Sequence, residues 1–263
     1  PYIYKINLRD WIFFKRQGLR RRLGVKLSHP TDGHHHFAEE AQNFRRRSLS
    51  ELGEIFFDHD GRGITKWVDY LDHYDRHFCK YRGTPVKLLE IGIFRGGSLE
   101  LWRKYFGADA VLFGIDIDKS CLEKVDGPNQ VRIGSQDDAD FLSSVVSEMG
   151  APDIILDDGS HKADHQLASF KALWPLLTTG GLYVIEDLHT AYWPGEWAGG
   201  FGRKGTAIET VKRLIDDMHG WWHTQPEGLV DKSEIGAIHM YESIVFIEKV
   251  AKELPSSVEI GQH

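Results

Sequence analysis

The chain has 263 residues, of which 41% are hydrophobic and 27% charged, and a net charge of −7. That length and mix suit one α/β domain with an appended segment, and they exclude a disordered tail; no run of about 18 apolar residues offers a transmembrane helix. The acidic balance argues against nucleic acid as a partner. Two cysteines, Cys79 and Cys121, are too few for a disulfide framework or a zinc knuckle. With no signal-peptide pattern at its start, the chain is expected to be a reduced, soluble, cytoplasmic protein.

Charge is distributed unevenly. Residues 1–47 hold eleven Lys and Arg against four acids, a balance of +7, so the remainder carries −14. Apolar bulk beside basic clusters, as in Gly18-Leu-Arg-Arg-Arg-Leu-Gly24, can dock peripherally on anionic lipid or pack on a partner subunit. A homo-oligomer is therefore expected. Residues 28–38, with Pro30, Gly33 and His34-His35-His36, read as a linker; with no Cys or acid at ligand spacing, the histidine run reads as solvated rather than metal-binding. This reading divides the chain into a basic helical or extended arm and linker, 1–62, and a domain, 63–263.

Over 63–82, Trp67, Leu71, Tyr74 and Phe78 follow a helical rhythm. Strands and helices then alternate. Strands are expected at Val86–Ile91, Ala110–Ile115, Gln130–Ile133, Ile154–Leu156 and Gly181–Ile185. Helices are expected at Ser98–Phe106, Ala139–Met149, Ala163–Leu177 and Thr206–Met218. Ile235–Tyr241 and Ile244–Glu248 close the chain as a hairpin. This alternation predicts an α/β fold with a doubly wound, mostly parallel sheet and one antiparallel strand.

The first strand runs into Glu90-Ile-Gly-Ile-Phe-Arg-Gly-Gly-Ser98, a glycine-rich turn opening a helix. Glycines there let backbone approach a ligand closely. The spacing is not the G-x-G-x-x-G of dinucleotide binders, which disfavours a nicotinamide or nucleotide-sugar enzyme and suits S-adenosylmethionine (SAM), a sulfonium with an amino-acid tail. Glu90, Gly92, Arg95, Gly96 and Ser98 are the candidates in this turn. Asp116, ending the second strand, suits a bidentate grip on ribose hydroxyls. Gln136 and Asp137, after the third strand, fall where adenine contacts are expected, and Asp157 completes the cofactor candidates.

The fourth strand ends in Asp157-Asp-Gly-Ser-His161 and the fifth in Glu186-Asp187. If these strands pair, at least three carboxylates converge on one rim about 5 Å apart. Their repulsion is relieved by a hard divalent cation, and an all-oxygen set suits Mg²⁺, with Mn²⁺ or Ca²⁺ as alternatives. Asp157 and Asp158 point to opposite faces and so do not share a role. His161, with Ser160 read as the N-cap of the following helix, is a proton acceptor held neutral by the helix end. The segment 188–206 carries five glycines, one proline and the aromatics Tyr192, Trp193, Trp197 and Phe201. It reads as an irregular lid suited to the C–H face of a sugar.

On the Glu90–Ser98, Asp157–His161 and Ile185–Leu188 motifs, residues 63–248 resemble the metal-dependent class I methyltransferases that methylate sugar hydroxyls, the family of the mycinamicin (macrolide) and rhamnosyl O-methyltransferases. The resemblance implies a Rossmann-like fold and a SAM- and Mg²⁺-dependent O-methyltransferase acting on a glycosylated small molecule of natural-product or glycolipid type. It implies Asp158, Glu186 and Asp187 as metal ligands and His161 as general base. It also likens the Lys66–Phe78 segment, with Trp67, to the family's cover over the active site, beside the lid aromatics Tyr192, Trp193 and Trp197 read above. The competing readings are a catechol-type O-methyltransferase, which needs a flat aromatic slot and no strong base, and a non-catalytic SAM-binding module, which needs no acidic rim.

Overall fold

Five short apolar segments, hydrophobic on both faces, form parallel strands as buried α/β strands do. In the computed structural model, which describes residues 38–125, 127–224 and 228–261, they are β1 (Lys87–Ile91), β2 (Val111–Asp116), β3 (Gln130–Ile133), β4 (Ile154–Asp157) and β5 (Leu182–Ile185). The hairpin β6 (Ile235–Tyr241) and β7 (Ile244–Lys249) completes a sheet of order β3-β2-β1-β4-β5-β7-β6. β7 is antiparallel to both β5 and β6, so it alone runs against the other six.

After a single helical turn over Ala38–Ala41, the longer helices among the described residues are α1 (Glu51–Phe57), α2 (Val68–Phe78), α3 (Gly97–Phe106), α4 (Ala139–Met149), α5 (Ala163–Leu173) and α6 (Ala207–Met218). They cover both faces of the sheet. Leu88, Ile154, Leu156 and Phe246 point to one face and pack with residues of α1, α2 and α3. Leu89, Ile91, Ile155 and Val245 point to the other and pack with α4, α5 and α6. Leu52 and Phe57 of α1 belong to the first core. The packed body therefore begins upstream of residue 63, where the sequence suggested a boundary. The cause is visible in α1 itself: Ser50 caps its first turn by accepting from Gly53 N–H, and its apolar residues face α2 and α3.

Local chemistry also moved other boundaries. Lys66 and Trp67 are extended, and the aromatic helix starts only at Val68. Pro175 ends the α5 pattern early, in a 3-10 turn over Trp174–Leu176. Ser160 is not the N-cap of α5: Lys162 holds that position, and His161 precedes the helix with φ +55°. The helix-end argument for a neutral His161 therefore does not apply. Of the basic arm, residues 1–37, including His34-His35-His36, lie outside the described residues. Its end is fastened to the body, where Arg45 pairs with Glu54 and Asp58 and Arg47 with Asp69.

Candidate active site

Strand register brings the predicted motifs to one rim. Ile91 pairs with Asp157, and Asp157 with Ile185. The next residues, Gly92, Asp158 and Glu186, therefore leave the sheet side by side, at the switch point where β1 lies between β2 and β4. Gly92 has φ +84°, and a Cβ there would stand 2.2 Å from the Asp158 carbonyl oxygen. The glycine thus serves contact between the turn and the acidic loop, beyond any approach to a ligand.

The turn is held from below. Asp116 Oδ2 accepts from the N–H groups of Ile93 (3.1 Å) and Phe94 (3.0 Å), and its Oδ1 accepts from Asp118 N–H at 2.9 Å. Oδ2 is thus filled by two donors, while Oδ1, with one, keeps a second lone pair for another donor. Glu90 is fully buried. Ser98 Oγ donates to its Oε2 at 2.8 Å, while Oε1 has no partner among the described residues. Burial, partly opposed by Lys66, pushes the Glu90 carboxyl up to about 7. Beside the turn an open cleft of about 430 Å³, lined by Arg62, Gly63, Phe94, Arg95, Asp118 and Lys124, has the size of a small-molecule site. Arg95 stacks over Phe94 on its wall, and Gly96, at φ +80°, ends the turn.

Asp157 and Gln136 lie beneath this surface. Asp157 is fully buried on the α5 face and accepts from Ser169 Oγ at 2.5 Å and Gln136 Nε2 at 3.1 Å. Burial lifts its carboxyl to about 6. Gln136 Oε1 accepts from Ser160 N–H at 2.6 Å, so this amide braces the acidic loop. Asp137 is partly exposed, with Ser135 and His165 as neighbours.

The acidic rim holds a cation of the chain's own. The Lys66 ammonium donates to Asp158 Oδ2 at 2.5 Å and to Glu186 Oε1, and its side chain is 2% exposed. Burial alone would lower its pKa, but Asp158 and Glu186 outweigh that and raise it. Burial, with Asp158 adding to it and Lys66 opposing, lifts Glu186 well above the usual carboxylate range. Tyr74 OH also donates to Glu186 Oε1. Asp187, at φ +55°, turns the other way. Its Oδ1 accepts from Trp67 Nε1–H at 3.0 Å and lies 3.1 Å from the Tyr70 hydroxyl. His161 Nε2 lies 3.9 Å from Asp158 Oδ1 and 3.7 Å from Asp187 Oδ2. Asp158, His161 and Asp187 each place a ligand atom within 4.8 Å of the other two. Glu186 stands outside that triangle, held by Lys66 and Tyr74. Strained backbone at both His161 and Asp187 is the kind that persists where surrounding structure over-determines it.

The aromatic segment closes over His161. Trp193 packs edge-on against His189 and Trp197, and Trp197 lies 6.4 Å from the His161 ring. Gly199 and Gly200 bind back to the carbonyls of Trp193 and Ala191, so the segment is a folded cap. Tyr192 is not brought to this group: it lines an apolar groove with Ile208, Val211 and Ile215 on α6.

Comparison with known proteins places the chain. The model of a methyltransferase domain matches residues 89–188, the stretch from the glycine-rich turn through the acidic rim. The mycinamicin VI 2''-O-methyltransferase of Micromonospora griseorubida is 38% identical over 226 residues, covering 78% of this chain and 53% of the relative. A tetracenomycin-C rhamnosyl 3'-O-methyltransferase of Streptomyces olivaceus is 40% identical over 215 residues, covering 76% and 54%. The methyltransferase MycE of the mycinamycin pathway, solved with Mg, SAH and mycinamycin VI, superposes with a TM-score of 0.65 at 38% identity, covering 77% of this chain and 53% of that one. The chain thus spans about half the length of the curated relatives it matches. Its seven-stranded sheet is the class I, Rossmann-like methyltransferase fold.

Three residues of this site escaped sequence reasoning. Lys66 was read only as part of a covering segment, and Tyr74 as helix core. Tyr70 was not singled out. The available signal was spacing: Tyr70 and Tyr74 are i,i+4 on one helical face, with Lys66 just before the first turn on the same side.

Proposed function

We propose that the protein is a SAM- and Mg²⁺-dependent O-methyltransferase acting on a sugar hydroxyl of a glycosylated small molecule. One observation carries the reading: the glycine-rich turn and the Asp158–His161–Asp187 group meet on one rim, joined by the contact of Gly92 with the Asp158 carbonyl. The relatives named above, which methylate mycinamicin and tetracenomycin sugars, supply the acceptor class.

The residues fit both groups. Glu90 Oε1, a buried acceptor without a partner among the described residues, and the spare lone pair of Asp116 Oδ1 suit the donor-rich amino-acid and ribose parts of SAM. Asp158 and Asp187 offer oxygens for Mg²⁺, with Glu186 as third carboxylate once it leaves Lys66. When bound, the ion lowers the pKa of a coordinated hydroxyl and fixes its direction. His161 Nε2, turned toward the carboxylates, takes the proton as that oxygen attacks the methyl carbon and the sulfonium leaves as a thioether. Trp67, Trp193 and Trp197 exclude water and hold the acceptor ring. A catechol-type enzyme would need no strong base here, and a non-catalytic module would need no acidic rim.

The ligand-atom distances favour a second role for His161, as a metal ligand. Mn²⁺ titration of His161→Ala separates the two. Unchanged Mn²⁺ affinity with a large fall in kcat fits the base, whereas a matching loss of Mn²⁺ affinity fits the ligand. Full turnover after exhaustive chelation contradicts the metal altogether.

We also propose a cytoplasmic location, with which the free thiols of Cys79 and Cys121 agree, and an oligomer in which the basic arm packs on a partner subunit. The eight Lys and Arg upstream of residue 38 support a docking role for the arm at an anionic surface. Among the described residues no helix is long and apolar enough to cross a membrane.

A further inference from the structure

On the α2 face of the sheet, at the opposite end from the acidic rim, a second group of ligand side chains converges. His77 lies in the last turn of α2, 9% exposed, with its ring stacked on Phe246 at 4.3 Å. The His239 ring, from β6, lies 4.6 Å away, and its Nε2 is 2.9 Å from Glu248 Oε1 on β7. One ligand atom from each of His77, His239 and Glu248 lies within 4.8 Å of the other two. Glu248 pairs with Leu182 at the start of β5, whereas Glu186 follows the end of that strand. Four residues along a strand separate the two levels by about 13 Å.

We propose that His77, His239 and Glu248 form a binding site for a transition-metal cation of the zinc type. Two imidazoles and one carboxylate are a familiar three-residue zinc set, whereas Mg²⁺ and Ca²⁺ prefer oxygen throughout. Ligating histidines must be neutral. Burial, reinforced by neighbouring His239, holds the His77 imidazole down to about 4, so no proton has to be displaced near neutral pH. Tyr241 OH lies 3.1 Å from His77 Nε2 and fixes the orientation of the ring. The His239 and Glu248 side chains are 37% and 38% exposed, which leaves the cation a path in and a position for water. A cation here would pin the end of α2 to the β6–β7 hairpin. The same helix carries Tyr70 and Tyr74 to Asp187 and Glu186, so the site would brace the helix that supports the acidic rim.

The test titrates Zn²⁺, then Co²⁺, into the full chain saturated with Mg²⁺, by calorimetry, visible absorption and thermal melting. The proposal expects one equivalent of tightly bound Zn²⁺ that raises Tm and a tetrahedral Co²⁺ spectrum. His239→Ala and Glu248→Gln should each weaken binding at least tenfold and abolish the rise in Tm, while Asp158→Asn leaves Zn²⁺ affinity unchanged. Binding that survives His239→Ala would lie elsewhere, at His34-His35-His36 or the acidic rim, and would overturn the site. So would binding lost in Asp158→Asn, or no binding at all.

Discussion

Lys66 Nζ stands 2.5 Å from Asp158 Oδ2 and also touches Glu186, so a lysine from the segment before α2 bridges two of the three carboxylates on the rim with its single charge. Removing one partner of a buried ion group leaves uncompensated charge, at a cost of about 3–5 kcal/mol. Lys66→Met should therefore lose stability of that order in EDTA, measured by urea denaturation, and regain more of it on adding Mg²⁺ than the parent gains. Equal stability of the two proteins in EDTA would show that the ion group matters little.

Glu90 gives a pH signature. Its folded pKa of about 7 lies above the ordinary 4.5, so its contribution to stability is full below about 4.5 and is lost as pH rises through 7. Glu90→Gln removes that dependence. The stability difference should shift in the variant's favour by about 3 kcal/mol between pH 4.5 and pH 8, read from denaturation curves across that range. Parallel curves would contradict the buried-acid assignment.

Asp116→Ala should weaken SAM by about 10- to 100-fold, the scale of lost hydrogen bonds to a charged group, with or without Mg²⁺. The turn it supports should also loosen, seen as faster hydrogen exchange at Ile93 and Phe94, whose amides it holds. Unchanged SAM affinity would limit Asp116 to bracing the turn.

The sheet was legible because buried parallel strands and short connections leave a strong pattern, and the β3 and α4 boundaries were read without error. The convergence of the two acidic motifs rested on β4 pairing with β5, and in the structure Asp157 does stand opposite Ile185. The contacts of Lys66 and Tyr74 with Glu186 span more than a hundred residues of chain, and no local pattern announces such a pair. The reversed backbone at His161 was hidden for a related reason. Ser-His before a helix resembles a cap, and only the packing of Ser160 on Gln136 and His165 delays the helix to Ala163. Tyr192 read as part of the cap because its neighbours are, yet the 3-10 turn over Leu188–Tyr192 carries it to the other side.

Trp193 sits between His189 and Trp197 in the folded cap. Trp193→Ala should raise acceptor KM or lower kcat while SAM affinity stays the same, and Tyr192→Ala should do neither. The same steady-state measurements on both variants distinguish a cap over the acceptor from an idle loop, for which the two would behave alike.

His161→Ala should lower kcat by about 10²–10⁴, the usual contribution of one general base. A variant within a few-fold of the parent would mean that another group takes the proton.

The most direct measurement follows the methyl group itself. The protein is incubated with SAM labelled in its methyl carbon and a panel of glycosylated macrolide and polyketide acceptors, with Mg²⁺ or EDTA, and the products are fragmented by mass spectrometry. The account predicts one labelled methyl on a sugar oxygen, formed with Mg²⁺ and absent in EDTA. Label on an aromatic hydroxyl, or equal transfer in EDTA, would contradict it.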